Sequence, residues 1–187
     1  METISRKVQF FINAILSGGK AGAITTSSEY LVESVLKHIK EPLSNAVEYG
    51  PGDGVMTKAL LKILSPQGKL VVIESNPEFV KILRKIEDSR IQIIEGNVQN
   101  VIDQHTENLK GADLVVSSIP FSFLTPLERD RVIERTHSLL RPGGSCIIFH
   151  QYSTLIKKSL EKYFKTVSVS FELRNIFPCF ILFAKKA

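Results

Sequence analysis

The 187-residue chain has no tryptophan, two methionines and two cysteines. Cys146 and Cys179 both sit inside apolar runs and lack the spacing of a disulfide framework or a cysteine metal site. They read as reduced core residues, and no metal is expected. No stretch reaches the roughly 20 apolar residues of a transmembrane helix. The N-terminus lacks a continuous apolar core followed by small residues, which argues against a signal peptide and for the cytoplasm. Internal repeats, linkers and long biased tracts are also missing, so a single globular domain is expected. Two nucleotide signatures fail as well. The phosphate loop G-x-x-x-x-G-K-[ST] is absent, and the dinucleotide pattern G-x-G-x-x-G is not matched.

What is present is an ordinary globular composition, 43% hydrophobic and 23% charged, with an uneven charge. Residues 1–140 hold 16 Lys+Arg against 17 Asp+Glu, a net −1, and residues 141–187 hold 8 against 2, a net +6. A one-sided basic region serves anionic lipid, nucleic acid or solubility, and by itself selects none of them.

From residue 28 onward two periods alternate. "EYLVESVLKHIK" has helical spacing and serines ahead of it as caps. "NAVEYG", "GKLVVIES", "RIQIIEG", "ADLVVSSI" and "SCIIFH" read as strands. Between them "VMTKALLKIL", "NPEFVKILRKI" and "PLERDRVIERTHSLL" read as helices, with a short helical stretch before Leu109 and "RPGG" as a turn. Asn76 is an N-cap with Pro77 in the first turn. A helix near 154–163 precedes two closing strands, "TVSVSFEL" and "CFILFAKK". Strands alternating with helices imply an open doubly wound, Rossmann-like α/β sheet of seven strands, mostly parallel, with an antiparallel last strand. In such sheets the ligand sits at the carboxyl ends of the strands, beside the first.

At that point the sequence reads "VEYGPGDG", three glycines at alternate positions behind a glutamate. Gly50, Gly52 and Gly54 permit a sharp turn and a backbone approach to a ligand that a Cβ would repel. Glu74 ends the next strand, where a carboxylate can accept from both ribose hydroxyls. Glu48 lies inside an apolar strand, where a carboxylate needs a partner.

These residues resemble the S-adenosylmethionine site of class I methyltransferases over residues 25–187, with "LLRPGG" and the paired closing strands also in keeping. The resemblance implies that Gly50, Gly52 and Gly54 floor the methionine part, that Glu48 lies beneath it, and that Glu74 holds the ribose with Ser75 beside it. It implies adenine contacts from the Asn97 side chain and the Val98 amide, with Asn97 standing where the family often has Asp. Ser117, at the end of the fourth strand, joins the cofactor set.

Three further stretches resemble bacterial phospholipid N-methyltransferases: "GGKAGAITTSSEYL", "VVSSIPF" and "LRNIFPCF". They imply an acceptor in the phosphatidylethanolamine class. Ser28, Tyr30, Phe121 and Arg174 are the implied substrate residues, with Arg174 on the lipid phosphate. Ser118, His150 and Tyr152 are candidates to receive the proton of the amine. "SSIPF" also resembles the Asn-Leu-Pro-Tyr of adenine N6-methyltransferases, including the rRNA dimethylating enzymes, with Ser118 in place of Asn and Phe121 as the stacking ring. RNA is therefore the runner-up acceptor, and a small molecule or a cofactor-binding scaffold the remaining alternatives.

Residues 1–27 are expected to form an amphipathic helix and a lead-in loop, ahead of a methyltransferase domain at 28–187. Ile4, Val8, Phe11, Ile12, Ile15 and Leu16 share a helical arc of roughly 140°. Such a helix either lies on an anionic membrane surface, peripheral to the inner face, or packs on the protein's own core.

Overall fold

The computed structural model describes residues 28–39, 42–151, 153–174 and 179–187, apart from the side chains of His150 and Gln151. Its elements follow the expected alternation. They are α1 (Glu29–Leu36), β1 (Leu43–Tyr49), α2 (Val55–Ile63), β2 (Leu64–Glu74), α3 (Pro77–Leu83), β3 (Ile91–Glu95), α4 (Val98–Gln104) and α5 (Thr106–Leu109). Then come β4 (Ala112–Ser117), a 3-10 turn (Phe121–Phe123), α6 (Pro126–Leu139), β5 (Leu140–Gln151), α7 (Lys157–Tyr163), β6 (Thr166–Glu172) and β7 (Cys179–Lys185).

Local signals start the helices. Ser28 Oγ accepts from the Leu31 amide at 3.3 Å, and Asn76 Oδ1 accepts from Glu78 N at 2.9 Å with Pro77 in the first turn. Thr125 and Glu128 close a capping box on α6, satisfying amides that the helix itself leaves without acceptors.

The seven strands form one sheet in the order β3-β2-β1-β4-β5-β7-β6. All neighbouring pairs are parallel except those made by β7, which runs antiparallel to both β5 and β6. β7 is therefore inserted between its predecessors, and β6 becomes the edge. The order reverses between β1 and β4, so their carboxyl ends diverge into a crevice.

Two strands begin earlier than the sequence pattern suggests. β2 starts at Leu64 rather than Gly68, and β5 at Leu140, so "RPGG" lies within the strand rather than in a free turn. In both cases the register jumps: Leu43 faces Leu64 but Asn45 faces Lys69, and Ala112 faces Leu140 but Leu114 faces Ser145. The intervening residues bulge where a helix enters the sheet directly. Gly68 and Gly144 are required there, because a Cβ would lie 3.0 Å from the Ser44 carbonyl and 2.9 Å from that of Arg141.

Alternate strand residues feed two cores. Val47, Tyr49, Val71, Val115 and Ile148 pack under α4, α6 and α7, and Ala46, Val72, Leu114, Val116 and Ile147 pack under α1 and α2. Tyr49 is fully buried with its hydroxyl 3.3 Å from that of Thr136.

The basic residues of the last 47 positions divide between structural and surface duties. Arg141, Lys165, Lys185 and Lys186 fall at the amino ends of β5 and β6 and the carboxyl end of β7, the end of the sheet opposite the crevice. Lys186 Nζ donates to the carbonyls of His137 and Leu140 at 2.8 and 2.7 Å, closing the C-terminus of α6 where a cation is favoured.

Candidate functional site

Gly50, Gly52 and Gly54 carry φ of 70°, 58° and 82°, all in the left-handed region that side chains disfavour. Their surroundings differ. A Cβ on Gly50 would lie 3.0 Å from Ile119 Cγ2, and one on Gly54 would lie 3.1 Å from Leu83 Cδ2. A Cβ on Gly52 would meet nothing within 4 Å. Gly50 and Gly54 are thus fixed by protein packing, and only Gly52 borders open space.

Glu74 organises this space. It is 6% exposed; its Oε2 accepts from Gly52 N at 3.1 Å, and its Oε1 from Asn76 N at 2.8 Å. The next loop joins it, since Gly96 N donates to the Glu74 carbonyl at 2.8 Å. The carboxylate is held by two backbone amides beside the cradle at Gly52, with a lone pair left on each oxygen. Ser75 is exposed next to it.

Asn97 Oδ1 accepts from Gln99 N at 2.9 Å as the N-cap of α4. Its oxygen is engaged with its own helix, so a second lone pair is what an adenine amine would meet. Val98 is the first residue of α4, and its amide has no acceptor within the helix.

Beneath the turn, Glu48 is 2% exposed and accepts from Thr57 Oγ1 at 2.7 Å. Burial pushes its carboxyl up to about 8, against the Thr57 hydrogen bond, and the charges of Glu74 and Asp53 add to the rise. The partner that an acid in an apolar strand requires is thus a hydroxyl on α2. The alternation of the strand predicts the need but not the partner.

On the far side of the crevice, Ser118 N donates to the Tyr49 carbonyl at 3.0 Å, and Ser118 Oγ donates to the Gly50 carbonyl. Ser117 is 1% exposed and its Oγ has no hydrogen-bond partner among the described residues. Phe121 is fully buried among Tyr49, Val98 and Ile133. The expectation that Phe121 offers a ring to substrate is therefore corrected: the 3-10 turn points it into the core and leaves Phe123, 47% exposed, outside.

Arg174 and Tyr30 come together although the chain separates them widely. The guanidinium lies 4.7 Å from the Tyr30 ring centre, while Arg174 Nε and Nη2 donate to Glu172 Oε1 and Oε2 at 2.9 and 2.8 Å. Ser34 Oγ donates to the same carboxylate at 2.5 Å. The guanidinium beside Glu172 and the Ser34 hydroxyl hold that carboxyl well below the usual carboxylate range. Arg174 thus pairs with Glu172 through two of its nitrogens while its side chain stays half exposed. Ser28 serves as the cap of α1. The side chain of His150, together with Tyr152 and residues 1–27, lies outside the described residues. Among the described residues no cluster of His, Cys, Asp and Glu is placed to hold a metal ion.

A switch-point crevice, a glycine cradle open only at Gly52 and an amide-held acid beyond it define the class I methyltransferase architecture, whose cofactor is S-adenosylmethionine. Residues 47–146 match the family described as methyltransferase domain, and the chain belongs to that family. Ornithine lipid N-methyltransferase of Singulisphaera acidiphila is 28% identical over 185 residues, covering 94% of each chain. The fold is similar to that of N-methyltransferase NodS from Bradyrhizobium japonicum (TM-score 0.69, 15% identity, 83% of this chain and 94% of that one). It is also similar to Aeropyrum pernix fibrillarin with natively bound S-adenosyl-L-methionine (TM-score 0.65, 17% identity, 82% and 73%).

Proposed function

We propose that this methyltransferase acts on the amine of a zwitterionic aminolipid head group, of the phosphatidylethanolamine or ornithine lipid kind, at the cytoplasmic face of a membrane. The observation that carries this reading is the correspondence, over 94% of both chains, with an enzyme named for methylating ornithine lipid.

When bound, S-adenosylmethionine supplies a methyl group already activated on a sulfonium, which leaves the protein to align the two reactants. Gly52 leaves room for the methionine portion, and Glu74 accepts the ribose hydroxyls. The Val98 amide donates toward the adenine edge. Ser118 ties the loop that faces the acceptor to the Gly50 carbonyl, so both halves of the site keep one spacing.

A lipid amine is protonated at neutral pH and must lose that proton to expose its lone pair. With a pKa of about 10, this costs about 4 kcal/mol at pH 7. Backbone carbonyls after β4 and the second lone pair of Ser118 Oγ are the described groups that can receive an N–H. His150, in β5, and Tyr152, two residues on in the sequence, remain the candidate proton acceptors.

The test is incubation with methyl-labelled S-adenosylmethionine and separate pools of phosphatidylethanolamine, ornithine lipid, structured RNA and small amines. Label in a lipid pool is the expected result. Label in RNA alone would replace the proposal with its runner-up, although the burial of Phe121 removes the ring on which a flipped base would stack.

A further inference from the structure

The described residues include seven large apolar side chains that remain exposed: Tyr30, Ile82, Phe123, Leu127, Val169, Phe171 and Leu173. Five of these seven fall on one rim. Phe123 (47% exposed) and Leu127 (79%) lie in the 3-10 turn and the first turn of α6, the elements that follow the carboxyl end of β4. Phe171 (48%) and Leu173 (69%) stand at the carboxyl end of β6, and Tyr30 (48%) joins them through its stacking with Arg174. β4 and β6 are separated in the sheet only by β5 and β7, a span of roughly 14 Å at the usual strand spacing. The two apolar flanks therefore both lie on the β4 side of the crevice, the side that faces the acceptor.

Isolated apolar residues on a surface carry no message, but their concentration around a single opening does. We infer that this rim is the surface that meets the bilayer, with Phe123, Leu127, Phe171 and Leu173 entering the interfacial layer. The inference rests on the aminolipid reading above. Two observations select a bilayer as the occupant. The chain outside the described residues, 27 residues long with an apolar stripe in its sequence, joins the structure at Ser28, on this same rim beside Tyr30. The charges there also suit apolar entry into a zwitterionic surface.

Glu29, Asp53, Glu78 and Glu128 lie at the carboxyl side with Lys157 and Lys158, which open α7. Lys157 pairs with Glu161 at 3.3 Å, and the two arginines there are engaged, Arg174 with Glu172 and Arg129 with the Phe121 carbonyl at 2.9 Å. Arg141, Lys165, Lys185 and Lys186 sit at the opposite end of the sheet. Attachment through this rim is thus driven by apolar burial of about 5–10 Å depth and depends little on salt. The sequence-based expectation of an anionic surface met by the N-terminal helix concerns residues 1–27, which lie outside the described residues.

The absence of tryptophan makes the test direct, because a single introduced indole reports only its own surroundings. Full-length chains carrying Phe123→Trp, Leu173→Trp or, as a control, Ile82→Trp are mixed with phosphatidylcholine vesicles, which offer no methylatable amine. Without vesicles all three indoles should be open to aqueous quencher. With vesicles, Trp emission at the two rim positions should shift to the blue and be quenched by brominated acyl chains, while the control stays aqueous. Raising salt should leave this unchanged.

In the chain with its native rim residues, combined Phe123→Asp and Leu173→Asp should reduce vesicle partitioning about tenfold or more. Methylation of a soluble short-chain aminolipid should be retained. A rim indole already buried before lipid is added would assign the rim to residues 1–27 or to a second copy and overturn the inference. So would binding that requires anionic lipid and vanishes in salt. Failure to methylate the soluble lipid, with vesicle insertion intact, would instead defeat the aminolipid reading.

Discussion

The hydroxyl of Ser118 donates to the carbonyl oxygen of Gly50, and its amide donates to the Tyr49 carbonyl at 3.0 Å. The loop after β4 and the turn after β1 are therefore one unit, with Ile119 packed against the position a Gly50 side chain would take. Ser118→Ala should weaken cofactor binding by about 0.5–1.5 kcal/mol, the net value of one such bond, as well as slowing methyl transfer. Calorimetry reads the first effect. An unchanged cofactor affinity with slow transfer would mean that Ser118 serves the acceptor alone.

Glu74→Ala removes a charged acceptor and releases the amides of Gly52 and Asn76. Affinity for S-adenosylmethionine or its demethylated product should fall by about 1–3 kcal/mol. Glu74→Gln, which keeps one acceptor oxygen, should fall between the wild type and alanine. Equal affinities in all three chains would remove the ribose role.

The glycines should separate binding from folding. Gly52→Ala places a methyl group in open space at a φ of 58°, so cofactor binding should be lost with a stability change of only about 1 kcal/mol. Gly54→Ala meets Leu83 at 3.1 Å and should lower the melting temperature more than Gly52→Ala does. Thermal melts beside titrations would show whether the two effects divide in this way.

Glu48 makes stability depend on pH. Its folded carboxyl, pushed up to about 8 by burial, keeps a proton that the unfolded chain gives up near 4.5. The folded state then binds more protons, so stability is full below about pH 4.5 and declines as pH rises to about 8. The total loss is of order several kcal/mol, at 1.36 kcal/mol per pKa unit. Glu48→Gln should flatten this dependence and melt above the wild type at pH 8. Parallel melting curves between pH 5 and 8.5 would contradict the assignment.

Phe121 gives a test of its corrected role. As a fully buried ring it should cost about 3–5 kcal/mol when cut to alanine. A substrate-stacking ring would instead raise KM without lowering stability, and chemical denaturation distinguishes the two.

The sequence by itself determined the alternation of elements, the switch-point turn and the identity of the cofactor. Each is a local property: strand and helix periods, the Asn76 and Thr125 caps, three glycines that must adopt positive φ, and an acid at a strand end. It also predicted that Glu48 needs a partner, because an acid within an apolar strand cannot remain unsatisfied. Tertiary structure alone decided which partner that is, since Thr57 reaches Glu48 only when α2 folds back over β1. It decided that Phe121 turns inward while Phe123 turns out, a choice made by one 3-10 turn that no period encodes. It placed β7 between β5 and β6, which brings Arg174 to Tyr30 and sends the lysines of the last strand to the end away from the crevice. Contacts across such distances in the chain depend on strand order, and strand order is settled by the packing of both sheet faces at once.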